Sequence, residues 1–408
     1  MKMPIVGICL LVFVAGCERH LVATPNVLQD QDPQRVFADC PPDRQTPLAA
    51  VVYATDRVAD KDARYGVGRS SGLAFGVASV SLSSQASWPE LARDSTLANR
   101  SRDYTLKLAD VRTDGEMPSP LGSGDKILQA SATTETNKLH GLLRDALAQS
   151  GHKDAFIFVH GFNSTFDDSV FRAAEVWHFM GRVGVPIAYS WPAGFGGPRG
   201  YPYDRESGEF TVTHLRQFLK SVAACPEVER VHVIAHSRGC DVVMSALREL
   251  NLEMAAAGLD TRGTLKLENL VLAAPDVDEE VFLQRFMAEN LLQTARRTSI
   301  YYSPGDRAIE ASEIVFASRR LGSLGSKDFS PLIKERLAQM PTVHFIECNL
   351  SGITQMHSYL FTHPAALSDL ILLLRDRREP GQANGRPLRP LADGVWELTD
   401  AYGARKKQ

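Results

Sequence analysis

Val231-His232-Val233-Ile234-Ala235-His236-Ser237-Arg238-Gly239 is the stretch that decides the fold. An apolar strand runs into Ala-x-Ser-x-Gly. Cys240-Asp241-Val242-Val243-Met244-Ser245-Ala246-Leu247 then follows with the spacing of a buried helix. A serine hydroxyl is a poor nucleophile unless the backbone thrusts it toward a base. A tight strand–turn–helix does this, and the helix N-terminus adds a favourable dipole. Such a turn needs small residues two before and two after the serine, where strand and helix cross closely. Ala235 and Gly239 meet that need, although Ala stands where Gly is commoner. Ser237 is the candidate nucleophile; the competing view is an ordinary βα turn that happens to hold a serine.

A tetrahedral oxyanion needs two convergent backbone N–H donors, one after the nucleophile and one from the loop of an earlier strand. Upstream, Phe156-Ile157-Phe158-Val159-His160-Gly161-Phe162-Asn163 is a buried-type strand ending in His-Gly-Phe. The amides of Phe162 and Arg238 are the candidate donors. His160 could serve as a base or a metal ligand, but a bracing role in the loop is the expectation. A base and its orienting acid must come from later in the chain. Ile300 to Arg307 reads as a strand ending in a turn that presents Asp306, and the loop after Val343–Ile346 leads to His357-Ser358-Tyr359. The order Ser237, Asp306, His357 is the Ser…Asp…His order of α/β-hydrolases. Asp276 and Asp278 also follow a strand, so Asp276 stays open as an alternative acid. Trp191-Pro192-Ala193-Gly194-Phe195-Gly196-Gly197-Pro198 is a Gly/Pro loop beside the expected site, either a substrate wall or lid or a plain connector.

Around this centre the pattern alternates strand and helix from about residue 126 to 376. Strands are expected at 155–159, 187–190, 231–235, 270–273, 299–302 and 343–346, with helices at 167–182, 209–223, 239–256 and 279–295. Earlier strands are expected at 49–53, 73–80 and 104–108. Such alternation argues an α/β class with a mostly parallel sheet and helices on both faces. The 408 residues are 44% hydrophobic and 23% charged, ample for one enlarged domain, and this excludes wholesale disorder. The net charge of −3 leaves no basic excess for a phosphate backbone, so nucleic acid is not an expected partner. Six cysteines are too few for a disulfide-built scaffold. No residues have metal-ligand spacing, and no dinucleotide fingerprint or phosphate loop occurs, so neither metal nor cofactor is expected.

The N-terminus reads as an export signal. Lys2 is followed by an apolar run from Ile5 to Val14, too short to span a bilayer comfortably, and then by Val14-Ala15-Gly16-Cys17. This resembles a bacterial lipobox, in which Cys17 is acylated and anchors the protein to the membrane. Glu18 leans toward the outer membrane. The expected organisation is therefore 1–17 signal and lipobox, 18–47 linker, 48–376 hydrolase domain and 377–408 C-terminal extension. In that extension only Val395-Trp396-Glu397-Leu398 suggests docking.

Seven segments together resemble the bacterial α/β-hydrolases filed as domain of unknown function 900, of the esterase/lipase superfamily. They are Tyr53-Ala54-Thr55-Asp56-Arg57, Val159 to Asn163, Ser190-Trp191-Pro192, Ala235 to Gly239, Ala273 to Asp278, Tyr302 to Asp306 and His357 to Tyr359. The resemblance covers roughly residues 48 to 376. It implies the α/β-hydrolase fold and a carboxylic-ester hydrolase activity, and it settles no substrate; the expected partner is a small-molecule or lipid ester. Two other functions use the same sequence: an acyltransferase with the same three residues, and an envelope lipoprotein using the fold as an interaction module. Oligomeric state is not legible.

Overall fold

The structure is a computed structural model that describes residues 19–60, 64–83, 85–119, 126–197, 199–352 and 357–404. The expected signal peptide and the lipobox Cys17 lie outside the described residues. In chain order the strands are β1 Arg19–His20, β2 Leu48–Ala59, β3 Tyr65–Ser81, β4 Thr105–Met117, β5 Asp154–Val159 and β6 Val185–Ser190. They continue with β7 Arg230–His236, β8 Leu267–Ala273, β9 Arg297–Tyr302, β10 Val343–Asn349, β11 Arg389–Ala392 and β12 Val395–Thr399. Among the described residues they form one sheet in the order β1-β4-β3-β2-β6-β5-β7-β8-β9-β10-β12-β11. The run from β2 through β6, β5, β7, β8, β9 and β10 to β12 is parallel, and antiparallel pairs close both edges.

The central strands are nearly continuous apolar runs because both sheet faces are covered. Along β5, Ala155, Ile157 and Val159 face one core with the helices Lys126–Leu147, Gly200–Ala224 and Gly239–Ala256. Phe156 and Phe158 face the other, with the helices Phe166–Phe179 and Pro364–Leu374. The alternation is the two-residue period of a strand. After β5 the chain builds β6 on one side and β7 on the other. The sheet thus reverses its direction of growth there, which opens a crevice at the carboxyl ends of β5 and β7.

Two segments differ from expectation. The stretch 18–47 is not a free linker over its described part. Leu21, Leu28, Phe37 and Cys40 are buried, β1 pairs with β4, and the Leu21 amide donates to the Tyr104 carbonyl at 2.8 Å. Its apolar residues dock singly from short turns, so no periodicity announces them. The stretch 279–295 is not one helix but an α turn Glu279–Val281, a π-helical turn Phe282–Met287 and a 3-10 turn Leu291–Gln293. The wider π turn brings Phe282, Phe286 and Met287 to the core together. In the C-terminal extension, Val395–Thr399 docks as a strand parallel to β10. The fully buried Arg386 further ties the extension to Asp369 of the Pro364–Leu374 helix at 2.8 Å.

Candidate active site

Ser237 sits at the carboxyl end of β7 in the left-handed region, with φ 53°. An L-residue held there costs about 1–2 kcal/mol, a strain that the surrounding packing must overcome. The packing is tight on both sides of the turn. A Cβ on Gly239 would stand 2.3 Å from the His160 carbonyl oxygen and 2.8 Å from that of Val159. A Cβ on Gly161 would lie 2.7 Å from Ser237 Cβ. Only glycine lets the helix start and the β5 loop approach the serine this closely. Asn163 and Ala274, at the ends of β5 and β8, are also left-handed, with φ 54° and 45°. Of the nine left-handed non-glycine residues among the described ones, these three lie at the carboxyl ends of adjacent strands.

The turn after β9 ends in Asp306, which caps the helix Arg307–Phe316. Its Oδ1 accepts from the amides of Ala308 at 3.1 Å and Ile309 at 3.3 Å, while Oδ2 accepts from His357 Nδ1 at 2.7 Å. One carboxylate thereby serves as helix cap and imidazole holder. Because a carboxylate accepts, His357 carries its proton on Nδ1 and leaves Nε2 as the free base. Burial lowers the His357 pKa, but the charge and hydrogen bond of Asp306 outweigh it and raise the net value above 6.5. The side chain keeps 24% exposure, enough to receive a proton at the surface of the crevice.

His236 links this pair to Ser237. Its Nε2 donates to the His357 carbonyl at 3.3 Å, and the two rings lie 4.7 Å apart. Burial, reinforced by His357, pushes the His236 pKa well down, so the linking ring stays neutral. The structure thus brings Asp306 and His357 into direct contact and sets Ser237 next to the residue that braces His357. Ser237 Oγ itself is not hydrogen-bonded to His357 here. Such contacts often tighten only when substrate is bound.

Asp276, the alternative acid, does not hold His357. Its carboxylate accepts from Tyr201 Oη and from Ser312 Oγ (2.6 Å) and lies 3.5 Å from Arg320 Nε. Its amide donates to the Ser237 carbonyl at 3.3 Å. Asp278, the other alternative, instead caps the short turn Glu279–Val281.

Phe162 and Arg238 flank the serine, the first through the Gly161 contact and the second as its neighbour. Among the described residues, neither backbone amide donates to a protein acceptor, so both remain available to an oxyanion. His160 is a brace rather than a base. It stacks on Trp191 at 5.0 Å, with Nδ1 2.9 Å from the Gly161 carbonyl and Nε2 3.1 Å from that of Trp191. Burial, aided by Arg57, lowers its pKa to about 3.

Two supports of this loop were not assigned roles by the sequence. Arg57, 2% exposed, donates to Ser190 Oγ at 2.9 Å, to the Ala193 carbonyl at 2.7 Å and to the Ser164 carbonyl at 2.8 Å. Asp204, 1% exposed, accepts from the Asn163 amide at 2.8 Å and the Gly194 amide at 3.2 Å. Together they bind the loops after β5 and β6 to each other. Arg57 stands within the quoted Tyr53–Arg57 segment, which could have flagged it. Asp204 sits inside a helix with no local signal.

Cys40, Cys225, Cys240 and Cys348 are all buried free thiols, and Cys240 packs within its helix. Among the described residues, no group of His, Cys, Asp and Glu could hold a metal ion, and no helix is long and apolar enough to cross a membrane.

The profile of a family described as "Alpha/beta hydrolase of unknown function (DUF900)" matches residues 135–377. No curated protein matches. Among solved structures, the chain is similar to a predicted CIB-like hydrolase from Thermoplasma acidophilum, at 16% identity and a TM-score of 0.31, over 55% of this chain and 88% of that one. It is also similar to acyl-protein thioesterase 2 from Zea mays, at 14% identity and a TM-score of 0.22, over 62% of this chain and 86% of that one.

Proposed function

Because this chain belongs to the alpha/beta hydrolase family of unknown function, we propose that it is a serine hydrolase that cleaves a carboxylic ester through an acyl-enzyme. The observation that carries this reading is the 2.7 Å hydrogen bond between Asp306 and His357, braced by the residue that precedes Ser237. Ser237 Oγ attacks the ester carbonyl carbon and its proton passes to His357 Nε2. The C–O bond to the alcohol then breaks, and the imidazolium gives that proton to the leaving alkoxide. Asp306 holds the ring and stabilises its charged form. The amides of Phe162 and Arg238 hold the oxyanion of both tetrahedral intermediates. Water, deprotonated by His357, next attacks the acyl carbon; the bond from that carbon to Ser237 Oγ breaks, the imidazolium returns the proton to Oγ, and the carboxylic acid leaves. No step needs a metal or a cofactor. The test is covalent capture of Ser237 by a fluorophosphonate, which reacts with serines activated in this way.

We further propose that the protein is lipid-anchored at Cys17 in a bacterial envelope, on the outer membrane. The support is the Val14-Ala15-Gly16-Cys17 segment after a short apolar run. Arg19 is already fixed to the folded body by pairing with Leu106 and by an ion pair to Asp168 at 2.9 Å. Two residues span about 7 Å, so an acylated Cys17 would hold the domain against the lipid surface rather than on a long tether. Cys17→Ser is expected to shift the expressed protein from the membrane fraction to the soluble fraction. Unchanged membrane retention would remove the anchor.

A further inference from the structure

Tyr201 stands where three parts of the site meet. It lies near the start of the helix Gly200–Ala224, and its ring packs on Phe162 of the oxyanion loop at 4.8 Å and on Phe316 of the acid-bearing helix at 4.9 Å. Its hydroxyl donates to Asp276 Oδ2 and lies 3.4 Å from Ser312 Oγ. Asp276 is itself tied by its amide to the Ser237 carbonyl. The row Phe162–Tyr201–Phe316 therefore runs from the oxyanion loop to the helix capped by Asp306. Ser237, whose carbonyl the Asp276 amide bonds, is only 5% exposed.

The surroundings of Tyr201 are pinned independently of it. Gly194 is bound by Asp204, while Tyr203 donates to the Val67 carbonyl at 2.8 Å and packs on Phe195 at 4.8 Å. Phe162 and Phe316 are only partly buried. Gly194 and Tyr203 are thus held by bonds that do not involve the Tyr201 side chain. The ring is held by its packing on Phe162 and Phe316 and by the bond from its hydroxyl to a buried carboxylate. Burial, then Asp276, raises the Tyr201 pKa, so the hydroxyl keeps the proton with which it donates.

We propose that Tyr201 is the specificity-determining wall of the site: latched on Asp276 and Ser312, it limits the bulk of the ester admitted to Ser237. This rests on the serine-hydrolase reading and adds the size of the substrate to it. A short acyl group reaches Ser237 with the latch closed. A long or branched one requires the ring to turn outward, and the broken hydrogen bond to Asp276 is charged to that substrate alone. Tyr201→Phe keeps the aromatic packing and removes the latch, leaving Asp276 with Ser312 and Arg320.

The test is the ratio of kcat/KM for a p-nitrophenyl octanoate ester to that for the acetate, in the wild type and in Tyr201→Phe. The ratio is expected to rise about tenfold, the scale of one hydrogen bond to a charged acceptor. Tyr201→Ala, with the ring gone, is expected to raise it at least as far. An unchanged or lowered ratio in a Tyr201→Phe protein with wild-type melting behaviour overturns the proposal. A uniform loss on both esters also overturns it, because that would make the hydroxyl a donor to the transition state. Failure of the underlying reading has a different signature: Ser237→Ala would keep full turnover of both esters.

Discussion

Ser237→Ala is expected to lower ester turnover by about 10⁴–10⁶-fold, the scale seen when a nucleophile of this type is removed. It is expected to leave stability nearly unchanged. Ser237 Oγ has no bond to His357 to lose, and the left-handed turn at φ 53° constrains alanine as it does serine. Removing a buried hydroxyl that no protein group bonds among the described residues is expected to cost no more than about 1 kcal/mol. Turnover on p-nitrophenyl acetate and a thermal melt, on the same preparation, separate the two effects. Loss of both would mean that the serine holds the fold rather than performs chemistry.

Asp306→Asn is expected to cost about 10⁴-fold in rate, because an amide no longer fixes the tautomer that leaves Nε2 as the base. Asparagine still accepts from the amides of Ala308 and Ile309, so the helix cap survives and the protein folds. The pH profile carries the sign. In the wild type, burial lowers the His357 pKa and Asp306 more than reverses it. Activity needs neutral His357, so it rises with pH through a pKa above 6.5. Without the carboxylate, burial acts alone and that rising limb moves to lower pH. Stability shifts the opposite way. A raised folded pKa stabilises the fold fully below the unfolded pKa, and the gain is lost as pH rises through the folded value. The melting difference between wild type and variant is therefore largest at acid pH. Measurement of kcat/KM from pH 5 to about 9 tests this, and a limb that does not move would separate Asp306 from His357 function.

The fold was legible because the parallel strands are apolar runs separated by amphipathic helices, and the helix 239–256 has the bounds that its spacing implies. The candidate site was legible residue by residue, since Ser237, Asp306 and His357 each follow a strand. The choice between Asp306 and Asp276 was not. Both carboxylates follow strands, and only the direction in which each side chain reaches separates them: Asp306 to His357, Asp276 to Tyr201 and Ser312. The supports Arg57 and Asp204 stayed without a role because they act through bonds to distant backbone carbonyls and amides. The segment 19–47 was missed for a related reason. Its few apolar residues dock one at a time, a pattern with no period to read.

The most direct measurement is fluorophosphonate labelling of the purified protein, followed by peptide mapping of the adduct. The account predicts one labelled residue, Ser237, with labelling lost in His357→Ala although that variant keeps its serine. Labelling that persists at full rate in His357→Ala, or an adduct on another serine, would contradict the central claim that His357, held by Asp306, activates Ser237.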